Sequence, residues 1–131
     1  MAPGSKRIPE LGPVEFELLR ILWRRSPATA GEVLAEYNRR RSRPLAYTTV
    51  MTLLSRLVEK GVLSAERERQ PFRFAPKIGR EALLKQRVRE FVDVFFEGRS
   101  ADLALRLVEE GPLPEDALRR LEELLQERKR P

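Results

Sequence analysis

The run Tyr47–Gly61, "YTTVMTLLSRLVEKG", leaves the chain fewer folding choices than any other segment. Val50, Leu53, Leu54, Leu57 and Val58 recur at three- and four-residue spacing, which is the period of an amphipathic helix. Pro44 keeps the preceding helix from continuing into it, and Gly61 stands where a left-handed residue ends a helix. The opposite face is unusual. It carries Tyr47, Thr48, Thr49, Thr52 and Ser55 where a solvated helix would use Glu, Lys, Gln or Arg, which are better helix formers than β-branched Thr. Short hydroxyls let a helix approach a duplex closely, hydrogen-bond phosphates or base edges, and offer the Thr methyl to a thymine methyl. A capping role competes with this for Thr48 or Thr49, but it does not reach Thr52 and Ser55, one and two turns further on.

The flanking pattern gives that helix a setting. Residues 1–10, with two prolines, a glycine and a Lys-Arg pair, read as a flexible N-terminal arm. Pro13 opens a helix with Val14, Leu18, Leu19, Ile21, Leu22 and Trp23 on its stripe through about Arg25, and "SPAT" breaks it. Thr29 and Glu32 have capping-box spacing for a second helix to about Arg40, burying Val33, Leu34 and Tyr37. After Gly61 the period shortens. "VLSAERE" and "FRFAP" partly alternate across a turn at "RQP", so a β-hairpin with Val62, Phe72 and Phe74 inward is expected. Three helices followed by a hairpin is the order of a winged helix-turn-helix, in which the third helix enters the major groove. The fold expected is therefore mainly α, with a winged helix over residues 11–77 and a helical dimerisation region over 78–131.

Charge follows the same division. Residues 1–77 hold 15 Lys and Arg against 8 Asp and Glu, whereas residues 78–131 hold 11 against 12. A basic module joined to a near-neutral one points to a polyanion partner for the first. Arg67, Arg69 and Arg73 surround the expected hairpin tip, where phosphate contact is natural and local pairing with Glu66 and Glu68 is the alternative. The loop residues Arg39, Arg40, Arg41 and Arg43 fit solvation as well as DNA contact, and Arg56 borders the apolar stripe, where an internal ion pair is an alternative. With no Cys and no His, the chain lacks thiolate chemistry, the commonest general base and the commonest transition-metal ligand. Glu109-Glu110 and Glu122-Glu123 are adjacent helical positions that do not face one another, so no acid/base dyad follows. No enzyme, cofactor or metal site is expected. Nor is membrane insertion: no window holds eighteen apolar residues and the first ten lack an apolar segment, which implies a soluble cytoplasmic protein.

The tail "IGREALLKQRVREFVDVFFEG" reads as a long helix, Ser100 starts a shorter one ending near Gly111, and Pro114 opens a last one. About fifty residues this rich in Phe, Leu and Val cannot cover both sides of their helices alone. Leu83 and Leu84 are expected to pack back on the N-terminal domain. Val92, Phe95, Phe96, Leu103, Leu107, Leu121 and Leu124 are expected at an interface between two copies of the chain.

Taken together, "LRILWRRSPATAGEVL", "TTVMTLLSRLVEKG" and "VLSAERERQPFRFAP" resemble the penicillinase-repressor family of bacterial transcription regulators (BlaI, MecI and CopY type) over roughly residues 11–130. The resemblance implies a homodimer that binds an inverted-repeat operator in double-stranded DNA and represses transcription, with the C-terminal helices dimerising. It also implies control by a regulatory protease cutting near Arg106-Leu107, although the local residues depart from the familiar cleavage sequence. The cysteine cluster of CopY-type members is absent, which excludes metal sensing by that route. Two rival readings keep the fold and lose the operator: a winged-helix module for RNA or a protein, and a ligand-responsive regulator of another family.

Overall fold

A computed structural model describes residues 9–131, so nearly all of the arm expected over residues 1–10 lies outside the described residues. The elements run α1 (Pro13–Arg24), β1 (Ala28–Thr29), α2 (Ala30–Asn38), α3 (Tyr47–Glu59), β2 (Leu63–Glu66), β3 (Arg73–Pro76), α4 (Arg80–Phe95), α5 (Ser100–Glu110) and α6 (Glu115–Lys129). The chain falls into two compact units, one ending at Gln86 and the other spanning Arg87–Pro131.

The first unit is a winged helix. Three helices present their stripes to a common core in which Leu18, Leu19, Leu22, Val33, Val50, Leu54 and Leu57 are wholly buried. The expected hairpin is present and acquires a third strand. The sheet is antiparallel in the order β1-β3-β2, with Ala28 opposite Phe74 and Ala65 opposite Phe74 on the other side. "SPAT" thus does more than break α1. Its last two residues pair with the hairpin and place Ala28 in the core. Two residues are too few to show a period, so only the pairing reveals the strand. Phe74 on the central strand closes the floor of the core, as expected with Val62, while Phe72 is only half-buried.

Local signals set the helix ends. Thr29 and Glu32 form the reciprocal capping box, with Glu32 N–H donating to Thr29 Oγ1 at 3.1 Å and Thr29 N–H to Glu32 Oε1 at 2.9 Å. The N–H groups of Gly61 and Val62 donate to the Val58 and Leu57 carbonyls, with Gly61 at φ +80°. This is the Schellman end that a glycine permits at no steric cost. The one buried charge among the described residues, Glu15, completes the start of α1. It accepts from Gly12 N–H at 2.9 Å, and both its oxygens accept from Lys60 Nζ at 2.8 and 2.9 Å. Burial raises its pKa, but the Lys60 hydrogen bonds, the Gly12 amide and the charges of Lys60 and Arg56 outweigh burial and hold it below the usual value.

The sequence pattern put the unit boundary between residues 77 and 78, whereas the compact units divide inside α4. Leu83 is the reason: it is wholly buried in the N-terminal core, and Leu84 beside it is half-buried. In the second unit α5 and α6 bury no residue. No described helix is long and apolar enough to cross a membrane.

Candidate nucleic-acid interface

The N-terminus of α3 is hydrogen-bonded to a side chain of the preceding helix. Asn38, the last residue of α2, donates from Nδ2 to the Leu45 carbonyl at 3.0 Å and accepts from Leu45 N–H through Oδ1 at 2.8 Å. It therefore closes the loop over residues 39–44 as a neighbouring strand would. The N-cap that follows is Ala46, which makes no side-chain capping bond. Neither Thr48 nor Thr49 caps the helix, which removes the competing reading of their hydroxyls. Val50 N–H is the first to find a helical acceptor, at the Ala46 carbonyl, so the amides of Tyr47, Thr48 and Thr49 have no partner within the helix. An uncapped start offers these donors and the positive end of the helix dipole to an anion such as a DNA phosphate. Sequence reasoning missed them, and the signal was the Ala at position 46, where a capping residue would be usual.

Tyr47, Thr48, Thr49 and Thr52 are exposed, while Val50, Leu54 and Leu57 on the opposite side are buried. Ser55 is half-buried at the border of this face. Thr52 donates its hydroxyl proton to the Thr48 carbonyl at 2.9 Å. Its oxygen keeps acceptor capacity, which suits an adenine or cytosine amino group, and its methyl suits thymine.

The arginines separate into paired and unpaired sets. Arg39 pairs with Glu36 at 3.3 Å. Arg41 reaches Glu17 at 3.1 Å, donates to the Tyr37 carbonyl and lies 4.0 Å from the Tyr37 ring centroid. These two brace the loop on the protein itself. Among the described residues Arg40, Arg43, Arg56, Arg67, Arg69 and Arg73 make no ion pair, and all six are exposed. Around the wing the local pairing with Glu66 and Glu68 does not form; Glu66 instead accepts from the Glu68 amide at 3.1 Å. Arg67 and Arg69 stand in the turn between β2 and β3, whereas Arg73 opens β3, opposite Glu66 on one side and Thr29 on the other. Arg67 lies 6.0 Å from the Phe72 ring centroid, which leaves its charge free for a phosphate.

In the second unit Phe95, Leu107, Leu121 and Leu124 are exposed, and Phe96 and Leu103 are half-buried. Val92 is not part of that surface. It is 5% exposed in the single chain, so it is an interior residue rather than one left for a partner. Val88, Phe91, Val94, Leu105, Val108, Leu118 and Leu125 are further exposed apolar side chains, outside the set expected at the interface. Phe91 sits 4.8 Å from Phe95 and 5.9 Å from Phe96, centroid to centroid.

An exposed hydroxyl face on the third helix, free amides at its start and unpaired arginines on the wing define a winged-helix DNA-binding module. The sequence model of the penicillinase repressor family matches residues 11–127. The chain belongs to that family, and it is accordingly a DNA-binding transcriptional repressor and not an enzyme. The penicillinase repressor of Bacillus licheniformis is 26% identical over 124 residues, covering 95% of each chain. The transcriptional regulator BlaI of Mycobacterium tuberculosis is 38% identical over 79 residues, covering 60% of this chain and 56% of its own. Among solved structures, the DNA-binding domain of the repressor BlaI superposes with a TM-score of 0.50 at 29% identity, covering 58% of this chain and 90% of that one.

Proposed function

We propose that this repressor binds an inverted-repeat operator as a homodimer, each protomer placing α3 in a major groove and its wing on the adjacent backbone. Tyr47, Thr48, Thr49, Thr52 and Ser55 meet base edges and nearby phosphates, and Arg67, Arg69 and Arg73 meet phosphates along the wing. Phe95, Phe96, Leu103, Leu107, Leu121 and Leu124 are covered by the second protomer. The observation that carries the reading is the outward hydroxyl face of α3, set by an Asn38 latch beside three unpaired wing arginines. The unburied apolar side chains of α5 and α6 support the homodimer, because no other described segment covers them.

Selection from a random duplex library tests it. The expected product is a palindromic site bound by two chains per duplex. Enrichment of no duplex sequence at low salt, with folded protein, refutes the operator, and one chain per duplex refutes the dimer. In this reading the repressor works on chromosomal DNA in the bacterial cytoplasm. A regulatory protease would release the operator by cutting the C-terminal unit. Near Arg106-Leu107 it meets exposed side chains on intact helix, so cleavage follows local unwinding. Amide exchange in α5 as slow as in α3 would count against that route.

A further inference from the structure

The segment that joins the sheet to α4 is fastened to the DNA-binding unit at three points. Lys77 N–H donates to the Val62 carbonyl at 2.8 Å, one step beyond the β2–β3 ladder. Trp23 Nε1–H donates to the Ile78 carbonyl at 2.9 Å across 55 residues of sequence. Leu83, in the first turns of α4, is wholly buried in the core. The first and third fastenings follow from completing a sheet and a hydrophobic core. The second does not. A Phe at position 23 would supply the same edge contact to Phe16, now 5.9 Å away at 81°, without the donor. The indole N–H is thus the group a Phe would lack, and it is bonded to the last carbonyl before Gly79. Gly79 has open space where a Cβ would stand and is the freest backbone position in the segment.

We propose that Trp23 is a positioning residue that fixes the direction in which α4 leaves the DNA-binding unit, and thereby the half-site spacing the repressor accepts. The proposal rests on the homodimeric operator reading given above. A dimer gains affinity from its second half-site only if the two recognition helices are presented at the separation the DNA offers. Freedom at residues 78–80 would let α4 tilt about its Leu83 anchor, lower the effective concentration at the correct spacing and raise it at wrong ones. With the Ile78 carbonyl held, that freedom is removed before DNA is met.

Two variants separate the hydrogen bond from the packing. Trp23→Phe removes the N–H with some volume. Replacing Trp23 by benzothienylalanine keeps the bicyclic shape and removes only the donor. With the selected operator, both variants should bind an isolated half-site as the natural chain does. Their preference for the selected spacing over spacers one or two base pairs longer or shorter should fall by roughly fivefold to tenfold. An unchanged spacing preference overturns the proposal. So does an equal loss on half-site and full operator, which would make Trp23 a contributor to the fold of the DNA-binding unit alone. A second measurement needs no operator. The chain has no cysteine, so spin labels on Ser64→Cys and Lys85→Cys report the distance between the wing and the first turns of α4 without background. The distribution should broaden in both variants, and an unchanged width overturns the proposal. If the natural chain selects no inverted repeat, the operator reading fails, while the spin labels still decide whether Trp23 fixes α4.

Discussion

The two units use the same apolar residue types to different ends. In the first, leucines on α1 and α3 are wholly buried, and a central-strand phenylalanine closes the core. In the second, Leu105, Leu107 and Leu125 are each about three-fifths exposed, and Phe95 more so at 68%. Both regions have helical periodicity in sequence. The difference is that the first has a sheet and a third helix to complete its interior, whereas the second has amphipathic helices without a second layer. A stripe at helical spacing therefore specifies a face to be covered, not what covers it.

Substitutions on the two sides of this divide should behave differently. The largest effect belongs to the self-sufficient unit: Phe74→Ala should cost about 3–5 kcal/mol in chemical denaturation, since it empties a wholly buried site on the middle strand. A loss below about 1 kcal/mol would mean the floor of the core is built otherwise. Leu121→Ala in α6 should leave the melting of the first unit alone and weaken association. At about 1 kcal/mol per copy, the dimer dissociation constant should rise roughly thirtyfold by sedimentation. No change would take α6 out of the interface.

Third in size is Glu15→Gln, at about 1–2 kcal/mol near neutral pH, because Lys60 loses its ionised partner inside the fold. The sign of its pH dependence follows from a lowered folded pKa. The stabilisation is complete above the ordinary glutamate value and is lost as pH falls through the folded one. The natural chain and the variant should thus converge in stability on acidification, and a gap that widens instead would contradict the assignment. Thr52→Ala should cost about 1 kcal/mol on the operator and less on random DNA, measured by competition. Equal losses would remove Thr52 from base reading. Smallest is Arg69→Ala, which should lower affinity for both DNAs and reduce the log–log salt slope by roughly 0.9. Arg128→Ala, at the far end of α6 in the second unit, should leave that slope unchanged, so the pair tests whether DNA contact is confined to the first unit.

Much of the first unit was legible because its signals are local. The stripe of α3, the Thr29–Glu32 box, Gly61 after α3 and the proline at the start of α1 each act within a turn or two of chain. The hydroxyl face was legible for the same reason, since helical spacing alone put Thr48, Thr49 and Thr52 on one side. The basic loop was not. Whether Arg39 and Arg41 or Arg40 and Arg43 were free depended on Glu36, Glu17 and Tyr37, and Glu17 lies 24 residues from Arg41. Val92 misled because its position on the α4 stripe does not distinguish a face turned inward from one left uncovered.

The sequence by itself determined where helices begin and end, which face of each is apolar, and which half of the chain carries the excess positive charge. Those properties depend on residues a few positions apart, and backbone geometry converts them directly into structure. Only the tertiary structure decided that Ala28–Thr29 would join the hairpin, that Asn38 would latch the start of α3, and that Lys60 would seal Glu15 across 45 residues. A hydrogen-bonding group has many partners of suitable chemistry along a chain. Packing of the core around it selects which one comes within about 3 Å.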